Sequence, residues 1–378
     1  MKLQIHYASN FFILLIFFSS FLPVNVMAQS QDESNETLRL GVIGLVHDHV
    51  SWIFNRNKKD VNIVGIVETN QKAIARYKKR YKLHDSLFFE TYEDLYLKAK
   101  PNAVSAFNAT KKHLEVVAFF APRKIPIMVE KPMATTYEDA LKMAALSKQY
   151  SVPLLINYET SWYASTYEAK DLLSENRIGN LNKLVFNTGH PGPKEIGCSP
   201  EFLEWLTDPI LNGGGALTDF GCYGANLSTW ILNGQKPLAV SCVAKQTKPD
   251  LYPKVDDDTT LILEYEKQQV VIQASWNWSH NRKDMQLYGS EGYINCLNGS
   301  KMTLLEDESK GEQIHKPKPI KSFQEDPFRL LYEVVLEKRS IPPNSLYSVE
   351  NNLIVSKILS LALLSAQEKK AIPWNYLD

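Results

Sequence analysis

The stretch Leu38-Arg-Leu-Gly-Val-Ile-Gly44-Leu-Val46-His-Asp-His49 joins a short apolar run to a glycine and then to a polar turn. It reads as a β-strand leading through a loop into a helix, the opening unit of a doubly wound α/β sheet. A second apolar run, Val61 to Val67, ends at Glu68, 24 residues beyond Gly44. Strand, glycine, helix, strand, acid is an order that holds a dinucleotide. The glycine lets backbone approach the pyrophosphate, and the acid takes the ribose hydroxyls. The glycine pattern is incomplete, because Val46 stands at its second position and His49 at its third. At position 46 a branched side chain occupies space that the phosphate approach normally requires.

Working outward, Ala103 to Phe107, Ile125 to Val129 and Pro153 to Asn157 read as further strands. Between them lie a Lys-rich helix from Gln71 to Tyr81 and a helix reaching Tyr150, opened by the capping box Thr135-Thr-Tyr-Glu138. Strands alternating with helices predict a parallel sheet over residues 37–157, a Rossmann dinucleotide-binding domain. The pattern changes near Tyr158. A helix from Ala169 to Asn176 is followed by strand-like runs at Leu184 to Asn187, Leu238 to Ala244, Thr259 to Glu266, Gln268 to Trp276, Asp284 to Tyr288 and Ile294 to Cys296. In the third of these, Leu261, Leu263 and Tyr265 alternate with Thr260, Ile262, Glu264 and Glu266, the period of a half-buried strand. A second, α+β domain with an open, mostly antiparallel sheet is expected over 158–378. A helix capped at Ser348 runs to about Glu368; Ser356, Lys357 and Ser360 interrupt its apolar stretch, which suits a core helix better than a membrane span.

At 378 residues, 44% hydrophobic and 22% charged, the chain has enough apolar material for two cores. Its 42 basic and 42 acidic residues give no global attraction to nucleic acid or an anionic membrane. Residues 1–28 contain Lys2 and no acid, an apolar run from Phe11 to Phe18, and Val26-Met27-Ala28 before Gln29. This reads as a secretory signal peptide, and hence an exported protein, periplasmic or secreted. The polar stretch 29–36 is a lead-in to the fold. Export permits disulfides, but the spacing of Cys198, Cys222, Cys242 and Cys296 neither pairs them nor suits a metal.

Two motifs carry chemistry. Glu130-Lys131-Pro132 follows a strand at the carboxyl edge, where open α/β sheets bind ligands. Gly213-Gly-Gly-Ala-Leu-Thr-Asp219-Phe-Gly-Cys-Tyr223 places a carboxylate and a phenol four residues apart, on one face if helical. Together they resemble the Gfo/Idh/MocA oxidoreductase family, in the Asp-x-Gly-x-Tyr branch with glucose–fructose oxidoreductase and the dihydrodiol dehydrogenases. Asn108-Ala-Thr110-Lys-Lys-His113 and Gly289-Ser-Glu-Gly292 are similar to two of its loops.

The resemblance implies hydride transfer between a nicotinamide and a sugar or sugar-like polyol. Tyr223 would take the hydroxyl proton as a phenolate. Lys131 would supply the cation that lowers its pKa, and Asp219 would orient substrate, unless it merely caps a helix. Gly44, Val46, His47, Glu68, Asn108, Thr110, His113 and Glu130 would bind the cofactor, His113 being equally readable as a structural histidine. Glu68 favours NAD over NADP, since a carboxylate repels a 2′-phosphate. The family implies a homo-oligomer. No metal is expected: His47 and His49 would need a distant third ligand such as His190. Trp276-Asn-Trp278 reads either as a stacking platform for a sugar or as a strand end packed on the core. A cofactor-free carbohydrate-binding protein and an NAD-recycling glycoside-cleaving enzyme remain as alternatives.

Overall fold

The apolar runs of the first half form six strands: β1 (Leu38–Ile43), β2 (Val61–Val67), β3 (Phe88–Phe89), β4 (Ala103–Ala106), β5 (Ile127–Glu130) and β6 (Leu154–Asn157). The computed structural model describes residues 36–378; the signal peptide read at 1–28 lies outside them. All pairings in this sheet are parallel, in the order β3-β2-β1-β4-β5-β6. β4, β5 and β6 are buried at every position, which is why they read as continuous apolar runs without alternation. The strand order reverses between β1 and β4, so the connections that leave their carboxyl ends run in opposite directions and leave a crevice.

The helices Gln71–Tyr81 and Tyr137–Tyr150 stand where the sequence places them. The second is capped one residue later than the box at Thr135 predicts. Thr136 has the extended backbone of a cap, and its hydroxyl accepts from the Asp139 amide at 3.1 Å. After β1 the helix is short, a 3-10 turn Asp48–Val50 followed by Ser51–Phe54.

The second sheet has nine strands: β7 (Leu181–Gly189), β8 (Ala239–Lys245), β9 (Asp258–Glu264), β10 (Gln269–Ser275), β11 (Arg282–Gly289), β12 (Tyr293–Cys296), β13 (Met302–Leu305), β14 (Gln313–His315) and β15 (Ile372–Pro373). Their order is β14-β13-β12-β11-β7-β10-β9-β8-β15, antiparallel except for β7 with β10. Leu261 and Leu263 are fully buried while Ile262 between them is 39% exposed, so one face is covered and the other open. The covering helices include Cys222–Ile231 and Val349–Glu368. The latter is long and apolar enough to cross a membrane, yet it is largely buried here. Its Ser365 hydroxyl accepts from the Cys242 amide on β8, and its Ser360 hydroxyl accepts from the Tyr137 amide of the first domain. Ser360 and Ser365, set within the apolar run, therefore each accept from a backbone amide of a neighbouring element.

Entry into the helix at 222 is organised from outside it. The Asp256 carboxylate accepts from the Gly215 amide at 2.8 Å and the Leu217 amide at 2.7 Å, with the Thr259 hydroxyl also donating to it. Replacing Asp256 by Ala strands two amides, and a loss of about 1–3 kcal/mol is expected in denaturant melts. Asp256→Asn, which keeps an acceptor, should lose less.

Candidate active site

The crevice after β1, β2 and β4 is a cleft of about 470 Å3 lined by Gly44, Val46, Glu68, Tyr92 and Asn108 among others. Gly44 has φ +86°, and a Cβ there would lie 2.9 Å from the Asn108 amide nitrogen and the Phe107 carbonyl, so only glycine fits. The Glu68 carboxylate accepts from the Leu45 amide at 2.7 Å through one oxygen and from the Thr69 and Asn70 amides through the other. The Asn108 side-chain oxygen is buried with no partner. A backbone cradle closed to any Cβ, an acid at the end of β2 and an orphaned amide oxygen together fit a dinucleotide. Val46 is part of the cleft wall, and its carbonyl accepts the Trp205 indole N–H at 3.2 Å.

Two residues assigned to this cleft from the sequence lie elsewhere. Thr110 is buried, and its hydroxyl faces Asn212 at 3.3 Å across the domain boundary. His113 is fully buried with Nδ1 on the Met133 carbonyl at 3.1 Å. Both follow Asn108 in sequence, but the chain has already turned into a helix that faces the core.

Lys131, Asp219 and Tyr223 come together in a second cavity of about 240 Å3, which His47, His49 and Lys283 also line. Lys131 donates to Asp219 Oδ1 at 2.5 Å and to the Asp219 carbonyl at 3.1 Å. That carbonyl belongs to a π-helical turn, Leu217–Gly221, whose wide register suits such an outside donor. Trp276 is buried, and its indole N–H donates to Asp219 Oδ2 at 3.0 Å. It is thus the packed strand end of the two readings, with no face for a sugar. Asp219 caps no helix; Asp256 does that work. Burial of Lys131 and Asp219 opposes both charges, yet their attraction outweighs it, raising the lysine pKa and lowering the aspartate's.

Tyr223 differs from expectation. Burial, and next the nearby Glu159, push its pKa well above 10. Lys131 sits 5.3 Å from the ring centre, but its charge is matched by Asp219. The group is a neutral phenol, a proton donor in its resting state.

Glu130 is buried, accepting from the Asn157 amide at 2.7 Å and facing His49 Nδ1 at 3.0 Å. Burial opposes its ionisation, but the two imidazoles and Asn157 bring its pKa down to about 2. His47, buried, accepts the His49 amide N–H at Nδ1, 3.2 Å away, which leaves the ring proton on Nε2. His47, His49 and Glu130 have ligand atoms within 4.8 Å of one another, close enough to consider a metal. The tautomer argues against one: ligation through Nε2 needs a proton on Nδ1, and Nδ1 already faces an N–H. His190, the distant third ligand that a metal would need, is not in this group and packs on Phe220. Asp48 does not join the cluster, because its carboxylate takes the Ser199 amide and hydroxyl. All four cysteines are free thiols, and burial pushes each pKa up to about 12.

Sequence reasoning missed Asn157, Lys283 and the helix Pro200–Leu206 that brings Trp205 onto the Val46 loop. The last had a usable signal, Ser199-Pro200, a cap followed by a proline at the first helical position.

Residues 38–158 match the family described as oxidoreductase family, NAD-binding Rossmann fold, and 166–295 match the GFO/IDH/MocA C-terminal domain. The chain belongs to the Gfo/Idh/MocA family. Its curated relatives include a D-xylose 1-dehydrogenase [NADP(+)] of Haloarcula marismortui, 25% identical over 63% of this chain and 61% of that protein. A trans-1,2-dihydrobenzene-1,2-diol dehydrogenase of Xenopus laevis is 26% identical over 48% of this chain and 51% of its own. The chain thus spans about half to three fifths of the length of the curated relatives it matches. In fold, it is similar to the aldose-aldose oxidoreductase of Caulobacter crescentus, with TM-score 0.73 and 20% identity over 89% of this chain and all of that one. A homologue of inositol dehydrogenase from Azotobacter vinelandii, solved with NAD+, gives TM-score 0.75 at 14% identity over 89% of this chain and 97% of that one.

Two outcomes follow from the charges. Asp219→Ala leaves the Lys131 ammonium buried and unpaired, and should cost about 3–5 kcal/mol in denaturant unfolding, much of it recovered by adding Lys131→Met. Burial lowers the His113 pKa to about 4 from 6.5. Between those values the unfolded chain takes up a proton that the folded one refuses, so stability falls as pH drops from 6.5 to 4, by up to about 3 kcal/mol. His113→Asn, which can keep the Met133 bond, should flatten that part of the pH–stability curve.

Proposed function

We propose that the protein is an NAD(P)-dependent oxidoreductase that moves a hydride between the nicotinamide and a carbon of a sugar or sugar-like polyol. The observation that carries this reading is the buried Lys131–Asp219 pair beside the protonated Tyr223, at the carboxyl end of β5 and next to the dinucleotide cleft. When bound, the nicotinamide supplies or accepts the hydride. Gly44, Val46 and Asn108 would hold the dinucleotide, Glu68 its adenosine ribose, and Glu130, with His47 behind it, the nicotinamide ribose.

Lys131 has three N–H donors; two go to Asp219, and the third is left for a substrate oxygen. Asp219, held by Trp276, keeps the ammonium aimed and charged. In reduction, Tyr223 gives its proton to the oxygen on which negative charge develops while Lys131 stabilises that charge. In oxidation the same atoms run in reverse. The curated relatives named for xylose and dihydrodiol substrates support a polyhydroxylated one here.

NAD is the preferred form in this proposal. Glu68, Glu90 and Glu115 line the cleft against one ammonium, Lys112, and would repel a 2′-phosphate. Export, read from the sequence, would require the cofactor to be held tightly through turnover, and assembly as a homo-oligomer belongs to the same proposal. The cofactor-free reading is not favoured by a cleft that keeps a glycine at 44, a carboxylate at the end of β2 and an unpartnered Asn108 oxygen.

The test is to denature the purified chain and weigh what it releases, then titrate the stripped, refolded protein by calorimetry. Close to one NAD per chain, and NAD bound at least tenfold tighter than NADP, are expected; Glu68→Gln should narrow that ratio. Lys131→Met should lower kcat by about a hundredfold or more with the NAD affinity unchanged. No released nucleotide together with no titration heat would overturn the proposal.

A further inference from the structure

Glu130 is held by two side chains whose own orientation is set one residue further out. Asn157 pairs with it across β5 and β6, and Asn157 Nδ2 donates to Glu130 Oε1 at 2.7 Å. His49 Nδ1 faces Glu130 Oε2 at 3.0 Å. An ionised carboxylate only accepts, so the imidazole proton lies on Nδ1. Glu130 and Asn157 are both buried, where a lost hydrogen bond is costly.

Behind each partner stands an indole. Trp162, in the 3-10 turn Glu159–Trp162 after β6, donates its N–H to Asn157 Oδ1 at 2.9 Å. A carboxamide carries its acceptor at one end and its donors at the other. With the oxygen taken by the indole, Asn157 must present its NH2 to Glu130. Turned over, it would set its oxygen against the carboxylate and its NH2 against the indole N–H. Trp162 is itself placed by Tyr347, which lies parallel to it at 6.3 Å and accepts the Ile156 amide of β6 through its carbonyl.

Trp52, in the helical turn Ser51–Phe54, stacks on the His49 ring at 4.1 Å and 15°. That stack holds the imidazole in the plane that brings Nδ1 to Oε2. Each carboxylate oxygen accepts about two hydrogen bonds, so one place on each stays open. Two open places on adjoining oxygens match the vicinal hydroxyls of a ribose.

We propose that Trp162 and Trp52 are positioning residues for the nicotinamide ribose. Acting through Asn157 and His49, they set the rotation of the Glu130 carboxylate, and with it the affinity for the part of NAD that ADP lacks. Neither indole lines the dinucleotide cleft or the catalytic cavity. This rests on the reading above that Glu130 takes that ribose.

The test titrates NAD, ADP-ribose and ADP into the purified, nucleotide-free chain by calorimetry. ADP keeps the adenosine ribose and both phosphates; ADP-ribose adds the second ribose without the nicotinamide. Trp162→Phe keeps an aromatic ring and removes the N–H. It should weaken NAD and ADP-ribose about tenfold and leave ADP within about twofold. Trp52→Leu should do the same, whereas Trp52→Phe, which can still stack, should stay close to the wild type. A merely structural role would weaken ADP as well. With two indoles to substitute, a folding defect in one variant leaves the other to answer.

If the variants that fold bind NAD unchanged, or lose ADP as much as NAD, the positioning role is overturned while the oxidoreductase reading stands. Glu130→Gln tests the assignment beneath it. If that substitution leaves the ratio of NAD to ADP affinity unchanged, Glu130 does not hold the ribose and the proposal falls with it. If the wild-type chain binds none of the three nucleotides, the cofactor reading itself falls.

Discussion

The Lys131–Asp219 ion pair joins the two halves of the molecule at the point where chemistry is possible. Lys131 follows β5 of the parallel sheet, and Asp219 lies in the turn that opens the helix under the antiparallel one. Neither charge tolerates burial alone, so each half of the chain folds around a residue that only the other half can satisfy. The surrounding features serve that pair. The π-turn presents a carbonyl to the ammonium, Trp276 fills the remaining carboxylate oxygen, and Asp256 anchors the turn from a third segment. A pair arranged this way fixes domain orientation as much as it contributes stability, because its geometry fails with a small rotation of either domain.

The defective glycine loop makes sense in the same frame. Val46 and His49 depart from the glycine pattern, and the loop that carries them is in contact with the second domain. Trp205 donates to the Val46 carbonyl, Asp48 holds the start of helix Pro200–Leu206, and His47 packs edge-on against Phe202. His49 meanwhile anchors Glu130. What reads in one dimension as decay of a nucleotide motif is, in three, a second fastening between domains beside the first.

The sequence made legible whatever rests on local pattern. Apolar runs at the right spacing located five strands of the parallel sheet and missed the two-residue β3, and alternation at 259–266 oriented β9. Gly44 and Glu68 marked the cleft, and the two motifs located Lys131, Asp219 and Tyr223. What stayed hidden depends on distant partners. β13 and β14 are four and three residues long and carry little pattern of their own. Asp256 looks like any loop acid until two amides arrive from forty residues upstream. Thr110 and His113 sit within five residues of Asn108, which lines the cleft, and nothing local says that the helix turns them inward. Tyr223 lines one cavity with Lys131 and Asp219, and the burial that pushes its pKa up, with Glu159 next, is a feature that spacing alone does not reveal.

The protonation states then bear on the chemistry. Burial first, against smaller opposing contributions, keeps His47 neutral and brings the His190 pKa to about 4. Lys131 holds its proton because Asp219 is charged, and Tyr223 holds its own because burial forbids a phenolate. Charges around the cavity are matched in pairs, Lys131 with Asp219 and Lys283 with Glu159. A neutral polyhydroxyl ligand therefore enters without disturbing either pair. In the hydride-transfer proposal the protons of Lys131 and Tyr223 face the substrate oxygen in reduction, and oxidation of an alcohol runs through the same two groups.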